Sequence, residues 1–249
     1  MKKIFLYILA GSLCFSACKK DDETETFVEP EDISVRNSYD EQAIQKFMDE
    51  NYLDTQGNIK AFSSTDATDD NYKKLSELNP VKLPSGVIYI IRDGAQPAAG
   101  KTIGTDTMIR TMIRGNYYLA TDTDGKVAFN NSYSGTLINT IDGQGSPVTD
   151  PLFYYVKNII LTNATSDAAK QRSYYEIEGF QEGIKYFKSF DNKPDGEGYN
   201  LQGVIIVPSK AAFGRDVHYN YVGTSLQNRC FVFNFQLYNA VTPRPASNQ

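Results

Sequence analysis

Near the C-terminal end, Cys230-Phe231-Val232-Phe233-Asn234-Phe235-Gln236-Leu237-Tyr238 places Phe231, Phe233, Phe235 and Leu237 at every second position. Side chains two apart share one face of an extended strand, so this run presents a continuous apolar face that only a packed sheet can bury. A complementary surface lies upstream: Ile177, Phe180, Ile184 and Phe187 fall three or four apart within Glu176 to Phe190, an apolar stripe along one side of a helix. The two patterns together predict an α+β domain in which a curved antiparallel sheet wraps around a short central helix. Further strands are expected at Gly86 to Ile91, Thr107 to Arg114 and Gly203 to Val207, with Gly94, Pro97, Gly100 and Gly104 as turn residues. Asp122-Thr123-Asp124-Gly125 reads as a hairpin turn leading into Val127-Ala128-Phe129. It lacks the later Glu ligand of a calcium loop.

Upstream of the sheet, Ala43, Ile44, Phe47, Met48 and Tyr52 recur at helical spacing behind Ser38 and Asp40, which predicts an amphipathic helix over about 40–53. With the polar stretch that follows and a short turn before Pro80, residues 40–79 form a helical N-terminal extension to a domain over 80–241. Residues 18–39 are acidic, carry Pro30 and offer few large apolar groups, so they read as a flexible tether. The tail 242–249, with Pro243 and Pro245, reads as disordered.

Residues 1–17 have the layout of a secretory signal: Lys2-Lys3, the apolar run Ile4 to Ala10, then Ser16-Ala17 before Cys18. Phe15-Ser16-Ala17-Cys18 resembles a bacterial lipobox, which implies lipidation of Cys18 and a membrane attachment through that lipid. Lys19-Lys20-Asp21-Asp22-Glu23 resembles an export signal of outer-membrane lipoproteins, implying a protein that faces the periplasm or the cell surface. With Cys14 in the signal and Cys18 acylated, Cys230 is left without a partner, and its strand context makes it a small buried hydrophobe.

Composition removes several function classes. With 25 basic against 30 acidic side chains and no basic cluster, the chain is not built to release counterions from a phosphate backbone, so no nucleic acid is expected. A single histidine, His218, cannot supply a multi-histidine metal centre, and no metal or cofactor is expected.

Several motifs, in order, resemble the FK506-binding-protein (FKBP) class of peptidyl-prolyl cis-trans isomerases, in its bacterial lipoprotein form. Leu83-Pro84-Ser85-Gly86-Val87-Ile88-Tyr89 is similar to the family's opening strand. Ile177-Glu178-Gly179-Phe180-Gln181-Glu182-Gly183-Ile184 resembles the start of its central helix, with Phe180 in place of Trp. Ile205 to Gly214 resembles its strand followed by Pro-x-x-x-Ala-Tyr-Gly, with Phe213 in place of Tyr. Phe231 to Leu237 resembles its closing strand. Asp124 to Ser132 is similar to its Asp-Gly-x-x-Phe-Asp-Ser-Ser, with one extra residue and Asn130 at the acid. The Met108 to Gly115 strand should carry the family's Tyr-x-Gly, and the sequence leaves its register open. Gly143 to Arg172 exceeds the family spacing and predicts an inserted flap or hairpin.

The resemblance implies an Xaa-Pro isomerase that assists the folding of exported proteins. Phe180 floors the pocket, Phe129, Phe213 and Phe233 line it beside Asn130, and the Ile177 backbone N–H holds the substrate carbonyl. Glu176, Leu152 and Phe153 form the rim. Such catalysis needs neither nucleophile nor metal, only a dry cavity that binds the twisted amide better than the planar forms, whose interconversion faces a barrier of about 18–20 kcal/mol. Asn130 and Phe213 each remove a polar group from that pattern. This keeps open an alternative: an FKBP-like module, weak or inactive as a catalyst, that binds proline-containing polypeptides or an envelope protein partner. The paired tyrosines Tyr117-Tyr118, Tyr154-Tyr155 and Tyr174-Tyr175 suggest a third reading, carbohydrate binding.

Overall fold

The computed structural model of the chain describes residues 27–141 and 143–249. Residues 1–17, read as a signal, Cys18, read as a lipidation site, and the Lys19 to Glu23 charge run lie outside the described residues.

Among the described residues the first element is helix α1, Ile33–Glu50, whose N-cap Asp32 accepts the Ser34 N–H at 2.7 Å. The expected helix start near Ser38 or Asp40 is therefore too late, and the expected tether over 18–39 does not extend through the residues of this helix. Two charged residues of this stretch are buried: Arg36 donates to the Ala120 carbonyl at 2.8 Å and pairs with Asp40 at 2.9 Å. A small hairpin, β1 (Asn51–Leu53) with β2 (Ile59–Ala61), follows within the expected helical extension.

The main sheet is antiparallel throughout. Its strands are β3 (Val81–Lys82), β4 (Ile88–Ile91), β6 (Met108–Thr123), β7 (Lys126–Asn139), β10 (Gly203–Val207) and β11 (Cys230–Val241), in the order β3-β4-β10-β11-β6-β7. The two-residue β8 (Val148–Thr149) pairs with β6. A separate pair joins β5 (Lys101–Thr102) to β9 (Lys188–Ser189). Asp124 and Gly125 make the two-residue turn between β6 and β7 at φ 53° and 75°, which is the left-handed geometry such a hairpin needs.

Period-two alternation sorts the sheet into two buried faces. One carries Tyr89, Ile205, Val207, Phe231, Phe233, Phe235 and Leu237; the other carries Ile88, Ile90, Val204, Ile206, Cys230 and Val232. Helix α3, Glu178–Ile184, covers the first face and α1 the second. At about 1.5–3 kcal/mol for each large apolar side chain taken from water, these two faces hold the domain together. Helix α3 is shorter than the expected Glu176 to Phe190. After Ile184 the chain turns, and Phe187 still reaches the core because its N–H bonds the Ile184 carbonyl. Gly179 and Gly183 let α3 approach β10: a Cβ there would lie 2.5 Å from Val207 Cγ1 and 2.8 Å from Ile205 Cγ2.

The stretch Gly143 to Arg172, expected to be an inserted flap or hairpin, holds β8, a tight turn at Pro151–Tyr155, helix α2 (Asn158–Thr162) and short 3₁₀ turns instead. The tail is docked, correcting the expectation of disorder over 242–249. Arg244 is buried, pairs with Asp150, donates to the Thr107 carbonyl at 2.7 Å and lies 3.5 Å from the Tyr155 ring centre. No helix among the described residues is long and apolar enough to cross a membrane.

Candidate functional site

Where α3 meets β11, three phenylalanines converge from separate elements. Phe180 comes from the first turn of α3, Phe233 from the middle of β11 and Phe153 from the turn after β8. The ring centres of Phe180 and Phe233 are 4.5 Å apart, those of Phe153 and Phe233 5.2 Å and those of Phe153 and Phe180 5.3 Å. Ile177 is the N-cap of α3, so its N–H is not used within the helix. It donates instead to the Phe153 carbonyl at 2.7 Å. Ile177, Phe180 and Phe233 are fully buried and Phe153 is 2 % exposed. The donor and the aromatic floor inferred for a substrate are thus brought together, and Phe153 fills both.

The other inferred residues divide. Phe213 is buried at the end of the same aromatic row, edge-on to Phe231 at 6.0 Å and stacked on His218 at 4.7 Å. Leu152 is half-buried and stands outside the main apolar cluster. Glu176 is not a rim residue: it is 7 % exposed and accepts from the Val156 N–H at 2.8 Å, Arg172 Nη1 at 2.7 Å and Gln181 Nε2 at 3.0 Å. Phe153 is likewise not at the rim but on the floor.

Phe129 and Asn130 lie away from this group. Phe129 stacks on Tyr118 at 4.7 Å and packs near Phe47 of α1 on the opposite face of the sheet. Asn130 donates to Thr121 Oγ1 and accepts from the Ser132 N–H within the β7 arm. The β6–β7 ladder shifts register between Tyr117 and Leu119, which pairs Phe129 with Ala120 and sets its ring on the α1 side. Asn130, its neighbour, points to the other face and is held within the arm by Thr121 and Ser132.

Register also identifies what the sequence left open on β6. Gly115 pairs with Phe233 and Ile113 with Phe235, and a Cβ at Gly115 would lie 2.9 Å from the Phe233 ring. A glycine inside an apolar strand was the available signal for such close approach. Tyr154, singled out only as one of the paired tyrosines, and Tyr221, which no motif marks, also belong to this region. Tyr154 meets Phe180 edge-on at 6.1 Å and donates to the Thr107 carbonyl; Tyr221 donates to the Tyr175 carbonyl at 2.5 Å. Burial pushes both phenols above their ordinary range, so each stays protonated and donating. Tyr174, Tyr175, Tyr219 and Tyr221 form one cluster beside Phe213, with the Tyr219 N–H bonded to the Tyr174 carbonyl. They are packed on one another rather than set out as a sugar-binding platform.

His218 is engaged at both nitrogens, Nε2 accepting the Leu226 N–H and Nδ1 meeting the Tyr219 carbonyl, each at 2.8 Å. Among the described residues no group of His, Cys, Asp and Glu is arranged to hold a metal ion. What the site offers is a backbone donor, an aromatic floor and a segment of chain seated on both.

No protein-family model matches the sequence, and no curated protein matches it. Among solved structures the chain is similar to FkpA from Escherichia coli, at 16% identity and TM-score 0.35, over 66% of this chain and 52% of that one. It is also similar to the N-terminal domain of FKBP42 from Arabidopsis thaliana, at 11% identity and TM-score 0.38, over 74% of this chain and 99% of that one. A peptidyl-prolyl cis-trans isomerase from Pseudomonas syringae pv. tomato is similar at 10% identity and TM-score 0.36, over 86% of this chain and 100% of that one. The chain spans about half the length of the first of these.

Proposed function

We propose that the domain binds proline-containing segments of exported polypeptides and acts on them as an FKBP-type peptidyl-prolyl cis-trans isomerase held at the bacterial envelope. One observation carries this reading: the Ile177 N–H and the Phe180 and Phe233 rings converge on a single place where a peptide carbonyl and a ring side chain fit together, because Phe153 puts both there. A prolyl ring with the carbonyl beside it presents the same pair of groups. In such a site the amide is desolvated against aromatic walls while its carbonyl is held, which favours a twisted amide that has lost conjugation.

A second reading, peptide or partner binding without turnover, is favoured by the missing polar groups. Phe213 brings no hydroxyl to the aromatic row, and Asn130 lies outside the site. Each lost hydrogen bond is worth about 0.5–1.5 kcal/mol, so two of them lower the rate by roughly one to two decades. Anchoring through a lipid on Cys18 belongs to the same proposal and rests on the residues before it. Fatty-acid labelling of the full chain but not of Cys18→Ala is the expected result, and equal labelling would remove the anchor.

Exchange NMR on Xaa-Pro peptides tests the function. Acceleration by wild type that is lost in a folded Phe180→Leu variant supports the isomerase. Peptide shifts without acceleration, also lost in that variant, support the binding module. Neither acceleration nor shifts would sink both.

A further inference from the structure

The candidate site is occupied by the chain that surrounds it. Phe153 lays its ring on Phe180 and Phe233 and gives its carbonyl to the Ile177 N–H. A residue that only walled a cup would leave the cup's backbone donor free for a ligand. The flanking residues are held by polar contacts: the Tyr154 carbonyl by Gln181 Nε2 at 2.7 Å, the Val156 N–H by Glu176 at 2.8 Å and the Val156 carbonyl by Arg172 Nη1 at 2.8 Å. At the other end Asp150 pairs with Arg244 of the docked tail.

We propose that the segment Asp150–Val156 is an intramolecular ligand of this site, closing it to polypeptides until the segment lifts away. The proposal rests on the reading above that the site receives a polypeptide. Its seat mimics that ligand, with an aromatic ring on the floor, a carbonyl on Ile177 and Pro151 two residues before the ring.

The surroundings suit a segment that moves. Upstream, β8 is only two residues long and pairs with a single strand. Downstream, α2 has no buried residue and exposes Ile159 and Ile160, so displacing it uncovers no further core. Arg172, which clasps Val156 and Glu176, has a side chain 38% exposed and is readily rehydrated. What holds the segment is the buried Phe153 ring together with the buried Tyr154 side chain, bonded to the Thr107 carbonyl, and the Asp150–Arg244 pair. A site closed for most of the time binds its ligand more weakly by the fraction of time it is open.

The test is a titration of the full-length protein with N-acetyl-Ala-Leu-Pro-Phe-amide, read by affinity and by amide hydrogen exchange. As peptide binds, the Tyr154 and Val156 amides, bonded to the Pro151 carbonyl and to Glu176, are expected to lose protection. Arg172→Ala is expected to bind about tenfold more tightly than wild type, and Phe153→Ala more tightly still. Should Phe153→Ala fail to fold, Arg172→Ala and the exchange data decide. Peptide binding with unchanged protection at Val156 and equal affinity in Arg172→Ala would overturn the intramolecular ligand while leaving the peptide-site reading intact. No binding by wild type, Arg172→Ala or a folded Phe153→Ala would overturn both.

Discussion

Asp40 Oδ2 accepts both the backbone N–H and the hydroxyl of Ser209, at 2.9 and 2.5 Å, joining the first helix to the turn after β10. Arg36 completes the contact at 2.9 Å, and both charged residues are 1 % exposed. This network makes α1 a wall of the domain rather than an appendage. It also disposes of Cys230 as a reactive thiol: burial, with the Asp40 charge added, pushes that thiol well above its ordinary range and keeps it protonated. The helix holds the back of the sheet whose front carries Phe233, so the candidate site depends on residues far from it in sequence.

Asp40→Ala is therefore expected to cost about 3 kcal/mol, because the buried Arg36 keeps only its longer 3.5 Å contact to Glu29 and the Ser209 donors lose their acceptor. Replacing both by apolar residues, Arg36→Met with Asp40→Leu, is expected to recover most of the loss. Urea unfolding of the two variants checks this, and equal destabilisation would refute the account. By the same argument a fragment starting at Asn79 exposes Ile88, Ile90, Val204 and Ile206 and is not expected to fold.

Gly115→Ala places a methyl group 2.9 Å from the Phe233 ring and 3.2 Å from Ile138 Cγ2. The ring is packed against Phe153 and Phe180 and has nowhere to retreat. A destabilisation of about 1–3 kcal/mol is expected from the overpacking. Denaturant melts measure the cost, and aromatic proton shifts of Phe153 and Phe180 should move with it. A neutral substitution would mean that β6 lies farther from the floor.

The face of the sheet that α3 covers is legible because period-two alternation in Phe231 to Leu237 and period-3.6 spacing in Ile177 to Phe187 are local signals of tertiary burial; the face that α1 covers is not. The place of Ile177, Phe180 and Phe233 followed from them and from the motif resemblance. Phe129 falls on the opposite face through a ladder shift near Tyr117 and Leu119 that leaves no mark in composition. Arg36 in the expected tether, Asp40 as an expected helix cap and Arg244 in the expected tail give no local sign of burial, because each is buried by a partner at long sequence separation. Phe153 was recognised as near the site but not as its occupant, since nothing local says that its carbonyl meets Ile177.

Glu29 should make the protein less stable as pH rises. Burial is the largest influence on its carboxyl and outweighs the attraction of Arg36, raising its pKa in the folded state. The folded state then holds the proton to higher pH than the unfolded state does. Stability from this group is present below the unfolded value and declines as pH climbs through the folded value. The lowered Asp32, Asp49 and Asp66 act in the opposite direction, so the comparison must be with Glu29→Gln, which retains them. Between about pH 4 and pH 7 the variant is expected to gain on wild type in urea midpoint. A constant difference across that range would show that Arg36 compensates the burial in full.

Glu176 gathers three donors, Val156 N–H, Arg172 Nη1 and Gln181 Nε2, and so ties the insertion to the start of α3. Glu176→Ala leaves the Val156 N–H without its acceptor, while Arg172 can turn to water. The expected loss is about 1–3 kcal/mol, the penalty for a buried donor left unsatisfied, rather than that of a fully buried ion pair. Glu176→Gln keeps one acceptor oxygen and should fall between the two. Limited proteolysis provides the local readout: cleavage between Lys157 and Arg172 should quicken in Glu176→Ala well before global unfolding. Had Glu176 been an exposed rim residue, neither urea midpoint nor cleavage rate would change.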